Sequence, residues 1–204
     1  MPDMKAESYF QKLGELLSGS EVTGGDGAPL SLEEGMSEAT AMILSLAPGE
    51  AGRSALSKAL LIGNGGSAAI VSHVQNDLCK ALGIPAMVFN EPPLLTALAN
   101  DDGYETAFRQ MAELWARPGD LLLAVSSSGK SGNILSAVEA ASYRGCRVIT
   151  FSGFSPDNPL RRMGDLNFYV ASDFYGFVEV AHMALAHFVT DNALSRKSEG
   201  KENL

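Results

Sequence analysis

Twice in this chain a short apolar run breaks into a loop of serine, glycine and asparagine and then into a helically patterned stretch. The first instance is Leu60-Leu61-Ile62-Gly63-Asn64-Gly65-Gly66-Ser67-Ala68. The second is Leu123-Ala124-Val125-Ser126-Ser127-Ser128-Gly129-Lys130-Ser131-Gly132-Asn133. Backbone N–H groups at a helix start, ringed by small hydroxyl side chains, form an anion site. Two such loops on neighbouring strands predict a pocket for a phosphorylated small molecule.

The rest of the pattern supplies a frame for them. Apolar runs at 58–62, 85–89, 120–126, 147–152 and 166–171 read as strands, and 67–82, 104–116, 131–144 and 176–194 read as helices. Almost unbroken apolar strands belong to a sheet covered on both faces. Alternation of strand and helix makes that sheet parallel, with right-handed crossovers. The expected fold is α/β, a three-layer α/β/α sandwich on a five-stranded parallel sheet of flavodoxin-like type. Ligands of such sheets bind beyond the carboxyl ends of the strands, where both loops fall. Two helices precede the first strand. One covers 4–18, with Met4, Tyr9, Phe10, Leu13, Leu16 and Leu17 on a stripe. The other starts at the Ser31–Glu34 capping box and runs to about Leu46. The Ser/Gly-rich stretch from Gly19 to Pro29 reads as a loop between them, and the polar tail from Ser195 to Asn203 as frayed.

Bulk numbers exclude some partners. The 204 residues fit one α/β domain, with its core at 58–194. A net charge of −9 disfavours nucleic acid, whose phosphates it would repel. No run of about 18 apolar residues predicts a membrane span. Cys79 and Cys146 lack metal-type spacing, and the first residues lack the apolar centre of a signal peptide, so a cytoplasmic location is expected.

Other readings of the loops stay open at this level. Gly63, Gly65 and Ala68 match a dinucleotide fingerprint, with Glu91 near the end of the next strand. Gly129-Lys130-Ser131 is like the end of a P-loop, but Ala124 stands where its first glycine belongs, and the strand ending at Ser152 brings no magnesium-binding aspartate. Plain tight turns are the simplest alternative, although four serines exceed what a turn requires.

A second constellation consists of imidazoles and carboxylates. His73 and Asp77, four apart, share one helix face. On the late helix stand Glu179, His182 and His187. Positions 179 and 187 lie about 12 Å apart along the axis, so they converge on one ion only with difficulty unless a second subunit shares the site. Taken singly, each histidine also fits an ordinary hydrogen-bonded surface or core role.

Together the loops resemble the sugar isomerase (SIS) domain family, in its phosphoheptose isomerase branch, over residues 35–194. Gly63–Ala68 and Ser126–Ser131 carry the resemblance, supported by Ala99–Tyr104 and the late helix. It implies a phosphate held by Ser126, Ser128 and Ser131, with Ser127, Ser67, Gly65 and Gly66 around it. Asn64 would meet sugar hydroxyls, Asp101 would line the pocket, and Lys130 stands where the family usually has asparagine. It also implies a zinc set at His73, Asp77, Glu179 and His187, matching a histidine, glutamate, glutamine and histidine of the zinc-binding members. Asp77 is one methylene shorter than that glutamate, a retraction of over ~1 Å. Glu179 adds a charge, and Gly176 replaces a frequent pocket aspartate. The implied reaction interconverts sedoheptulose 7-phosphate and D-glycero-D-manno-heptose 7-phosphate through an enediol, with Asp77 as base and His187 as its acid–base partner. The implied assembly is a homotetramer with residues 1–50 as a helical oligomerisation segment. The rival reading is a non-catalytic SIS module, either a sugar-phosphate sensor or an adaptor for a replication initiator.

Overall fold

The computed structural model describes residues 5–47 and 57–202. Residues 1–4 and 48–50 of the expected oligomerisation segment, and Asn203 of the expected tail, lie outside the described residues. In chain order the elements are α1 (Ala6–Ser18), a hairpin of β1 (Glu21–Gly24) and β2 (Pro29–Leu30), α2 (Leu32–Leu44), β3 (Ala59–Gly63), α3 (Gly66–Lys80) and β4 (Ala86–Val88). There follow α4 (Pro92–Asp101), a 3-10 turn (Tyr104–Thr106), α5 (Ala107–Trp115), β5 (Leu121–Ser126) and α6 (Gly132–Tyr143). The chain continues through β6 (Arg147–Ser152), a second 3-10 turn (Pro159–Arg162), β7 (Leu166–Tyr169) and α7 (Tyr175–Glu202).

The five expected strands pair in parallel in the order β4-β3-β5-β6-β7. Renumbered along the chain this is 2-1-3-4-5, the flavodoxin-like winding, whose direction reverses between β3 and β5. Alternate residues of each strand face opposite layers. Leu61, Leu123 and Ile149 pack with α2, α3 and α7, whereas Leu60, Leu122 and Val148 pack with α5 and α6.

The sheet has seven strands rather than five. The stretch expected as a loop forms the β1–β2 hairpin, and β1 lies antiparallel on β7 with Val22 opposite Phe168. Val22 is buried and supplies the apolar anchor. Asp26 Oδ1 accepts the Ala28 N–H, and Gly27 takes φ +80°, so the Gly/Asp cluster that reads as a loop is the turn of this hairpin. The sequence reading also places no helix at α4. Its prolines fall in the first turn, where no N–H is needed, so they start the helix instead of breaking it. The tail continues α7 to Glu202 and is not frayed there. Arg196 donates to Ser37 Oγ at 3.1 Å and Lys197 to the Leu82 carbonyl, which ties the last turns to α2 and α3.

The Ser31 capping box forms as expected, with Ser31 Oγ accepting the Glu34 N–H and Glu34 accepting the Ser31 N–H. The two leading helices differ in how they are covered. α2 buries six residues against the sheet and α7, while α1 buries Leu16 alone and leaves Phe10 66% exposed.

Two buried titratable side chains make testable contributions. Asp120, 1% exposed, accepts from Lys58 Nζ at 2.6 Å and from the backbone N–H groups of Lys58 and Arg117. It joins the starts of β3 and β5. Asp120→Ala strands Lys58 and two N–H donors, so unfolding free energy by urea denaturation falls by about 3–5 kcal/mol; a loss under about 1 kcal/mol contradicts this. His182 is fully buried on α7, with Nε2 3.0 Å from the Ser152 carbonyl and its ring edge-on to Phe151. Burial pushes its imidazole down to about 4, only partly offset by the Ser152 carbonyl. The folded chain therefore resists a proton that the unfolded chain accepts below about 6.5. Stability present above pH 6.5 is lost as pH falls toward 4, by on the order of 3 kcal/mol. Urea midpoints from pH 7.5 to 4.5 should show that loss, and His182→Gln should flatten it.

Candidate active site

Both Ser/Gly loops leave the sheet at its switch point. β3 ends in Gly63, opposite Val125 of β5, so Asn64 and Ser126 emerge side by side. In the first loop Gly65 adopts φ +53° just before α3, a region that favours glycine. A Cβ on Gly66 would run into the Glu179 carboxylate, so glycine here lets α7 approach the start of α3. In the second loop Gly129 adopts φ +62°, and Asn158 fills the space where its Cβ would stand. Asn158 is itself fully buried, donating to the carbonyls of Gly153 and Ser155 and accepting from the Arg161 N–H. It acts as a post beneath the serine loop.

Between the loops lies a cleft of about 240 Å3. Asn64, Gly65, Gly66 and Ser67 form one side of it. Ser126, Ser127, Ser128 and Ser131 line the other, and Tyr175 and Glu179 of α7 close it. Ser126 and Ser131 hydroxyls lie 3.3 Å apart, and Ser128 Oγ accepts the Lys130 N–H at 3.3 Å. Ser127 Oγ is buried with no hydrogen-bond partner among the described residues. A buried hydroxyl left in that state costs free energy unless a ligand satisfies it. The dipoles of α3 and α6 point their positive ends into the same space. These features suit a small dianion.

Not every expected residue lines this cleft. Lys130 is exposed beside the loop, and Asp101 is exposed at the end of α4, where it accepts from Asn100. Asn64 does line it, but its amide is already engaged: Oδ1 accepts from Tyr104 Oη at 2.7 Å and from Asn133 Nδ2 at 2.9 Å. The sequence assigns no site role to Tyr104, Asn133 or Tyr175. Asn133 stood at the end of the quoted loop motif, but pattern alone gives it no role. Tyr175 carries no sequence signal. Its ring meets Phe154 edge-on at 4.8 Å, and Phe154 holds the left-handed φ of +58°. Gly176 leaves room for Tyr9: a Cβ there would lie 3.2 Å from the Tyr9 hydroxyl.

The four expected metal ligands divide into two places. His73 Nε2 and His187 Nδ1 each lie 3.6 Å from Asp77 Oδ2, and the two rings sit 4.7 Å apart. Ligand atoms of this triad all fall within 4.8 Å of one another. Tetrahedral zinc ligands at bond lengths of 2.0–2.2 Å stand roughly 3.3 Å apart, so the triad fits a divalent ion after a small adjustment. Two imidazole nitrogens and a carboxylate oxygen also suit nickel, cobalt or iron. Glu179 is not part of the group. It sits against Gly66, while His187 lies eight residues further along α7 and His73 seven beyond Gly66. The triad is therefore about 10–12 Å down the paired helices from the serine cleft of its own chain. The larger cleft near the β1–β2 turn, about 510 Å3, has its charges engaged: Arg161 pairs with Glu21 at 2.5 Å and covers the Tyr169 ring, and Arg162 pairs with Asp157.

Comparison with known proteins places this geometry. Residues 54–153 match the family model described as the SIS domain. The phosphoheptose isomerase of Pelobacter propionicus is 34% identical over 140 residues, covering 66% of this chain and 74% of that protein. That of Burkholderia pseudomallei is 34% identical over 157 residues, covering 74% of this chain and 76% of that protein. A solved phosphoheptose isomerase from Francisella tularensis superposes with a TM-score of 0.77 at 26% identity, covering 95% of this chain and all of that one. The partial dinucleotide fingerprint and the P-loop-like Gly129-Lys130-Ser131 are thus parts of the two Ser/Gly loops of this fold. With the flavodoxin-like winding, the paired loops and relatives of this identity and coverage, the chain belongs to the SIS domain family, in its phosphoheptose isomerase branch.

Proposed function

We propose that this chain is an aldose–ketose isomerase acting on sedoheptulose 7-phosphate to give D-glycero-D-manno-heptose 7-phosphate. The observation that carries the reading is the convergence of two hydroxyl-lined helix starts at the switch point, with Ser127 Oγ left without a partner among the described residues. Ser126, Ser128 and Ser131 hold the phosphate with backbone N–H groups, and Ser127, Ser67, Gly65 and Gly66 surround it. Lys130 adds positive charge at the rim, and Asn64 offers its remaining N–H to the sugar. Binding energy from this remote group fixes the reacting carbons without acting on them directly.

Isomerisation moves a proton between C1 and C2 through an enediol. Asp77 takes the proton from one carbon and returns it to the other, and His187, 3.6 Å away, acts as acid–base partner by giving a proton to one of O1 and O2 and taking it from the other. Zinc held by His73, Asp77 and His187 would polarise the carbonyl and stabilise the enediolate, while Glu179 stays with the serine cleft. A carboxylate bound tightly to a metal is a weaker base, so Asp77 divides its effort between the two tasks.

The distance between the triad and the serine cleft of one chain supports a shared site. A second copy supplies the triad to the cleft, within a homotetramer whose contacts include residues 1–50. Phe10, Val180 and Phe188 are exposed, and an apolar groove of about 330 Å3 runs between Leu17, Leu32, Met36 and Leu185. Two free cysteines accord with a cytoplasmic protein. The second reading, a sugar-phosphate sensor or replication-initiator adaptor without turnover, is favoured by one observation: Gly176 gives its space to Tyr9, leaving no side chain to reach the sugar.

An NMR assay of sedoheptulose 7-phosphate with the purified chain decides between them. Asp77→Asn and His187→Ala each lower kcat by on the order of 100-fold or more; full turnover in both variants refutes the acid–base assignment. Dialysis against a chelator lowers activity, and zinc restores it. A chain fully active with no bound metal by elemental analysis removes zinc from the mechanism. Light scattering showing a monomer at micromolar concentration rules out the shared site.

A further inference from the structure

The two anion loops leave different strands, 62 residues apart in sequence, yet a phosphate ester must meet both at once. Beyond the ends of β3 and β5 no ladder bond spans them. A pair of side-chain amides does. Asn64 Nδ2 donates to Asn133 Oδ1 at 2.9 Å, and Asn133 Nδ2 donates back to Asn64 Oδ1 at 2.9 Å. Tyr104 Oη donates to the same Asn64 oxygen at 2.7 Å, which fills its two lone pairs. Asn133 is 3% exposed in the first turn of α6, two residues after Ser131. Its neighbours Ile134, Ala137 and Val138 are buried in the layer between the sheet, α5 and α6, so its place is set by the packing of the helix.

We propose that Asn133 is a positioning residue which, through its paired amide contact with Asn64, sets the separation of the two hydroxyl-lined loops for phosphate binding. Asn64 thereby acts chiefly as the partner in this clamp, with a single N–H left to face a ligand. Tyr104 extends the clamp to the 3-10 turn after α4, a helix with no fully buried residue, and so ties the rim of the cleft to its floor. The reciprocal pair is specific: aspartate at 133 loses the donor, and alanine leaves both polar atoms of Asn64 short of partners. A serine at 133 is too short to make both bonds.

The inference rests on the serine cleft as the phosphate site of the proposed function, and its test does not require turnover. Binding of inorganic phosphate and of sedoheptulose 7-phosphate is measured by calorimetry on the full chain, with Ser126→Ala as the control that locates binding in the cleft. Asn133→Ala is expected to weaken both ligands by roughly tenfold or more, about 1.4 kcal/mol by the usual conversion. In turnover the loss appears in KM, with kcat changed less than about threefold. Because Asn133 acts through Asn64, the Asn64→Ala/Asn133→Ala pair should bind no more weakly than Asn64→Ala alone. Tyr104→Phe should weaken the sugar phosphate more than inorganic phosphate. Where Asn133→Ala does not fold, Asn133→Ser carries the same comparison. Additive losses in the double variant, or undiminished phosphate affinity in a folded Asn133 variant, overturn the proposal. So does a wild-type chain that binds neither ligand. A chain that binds phosphate through this clamp but isomerises nothing refutes the proposed function and leaves the clamp standing.

Discussion

The parallel pairing of β3 with β5 is the contact on which the rest of the molecule depends. Five residue pairs, from Ala59 beside Leu121 to Gly63 beside Val125, bring two distant segments into register. The winding of the sheet reverses between these strands, so their crossover helices leave toward opposite layers and open a crevice above them. Asp120 secures the same pair from the other end by gathering Lys58 and two backbone N–H groups. A slip of one residue would turn Leu60 and Leu122 toward the wrong layer and separate the loops. The cleft between the two loops is thus a consequence of sheet register, and its glycines answer close approaches: Gly66 to Glu179, Gly129 to Asn158.

The charges of the site are arranged along two helices that lie side by side. α3 and α7 meet at Gly66 and Glu179 near the cleft, and again at His73 and His187 two turns below. The serine cleft and the imidazole–carboxylate triad accordingly lie at different levels of one helix pair. His182, between those levels on α7, faces inward and remains neutral beside the Ser152 carbonyl. One helix therefore carries a carboxylate for the cleft, a buried imidazole and a half-exposed imidazole beside Asp77, separated by their angular positions.

Much of this could be read from the chain before folding. The five parallel strands carried an apolar signal strong enough to survive small errors in their ends, because both faces of the sheet are buried. The capping box at Ser31 and Glu34 is a local interaction between residues three apart, and it forms as read. The hairpin at 21–30 escaped because its glycines and aspartate describe a turn truthfully while Val22 alone announces the strand. Helix α4 escaped because Pro92 and Pro93 look like breakers wherever the helix start is unknown. The last turns of α7 look like a polar tail until Ser37 and the Leu82 carbonyl are placed beside Arg196 and Lys197.

Local chemistry therefore settled which residues could hold an anion or a metal: serines and glycines after apolar strands, and an imidazole and a carboxylate one helical turn apart. Tertiary structure alone decided which of them meet. His73, Asp77 and His187 come together across two helices, Glu179 is drawn away to the loop at Gly66, and Asn64 is turned toward Asn133. The reason is physical. Composition and spacing act over one or two turns of helix, whereas the distance between Asn64 and Asn133, or between Glu179 and His73, depends on strand order and on how closely helices without Cβ atoms at their contacts can pack.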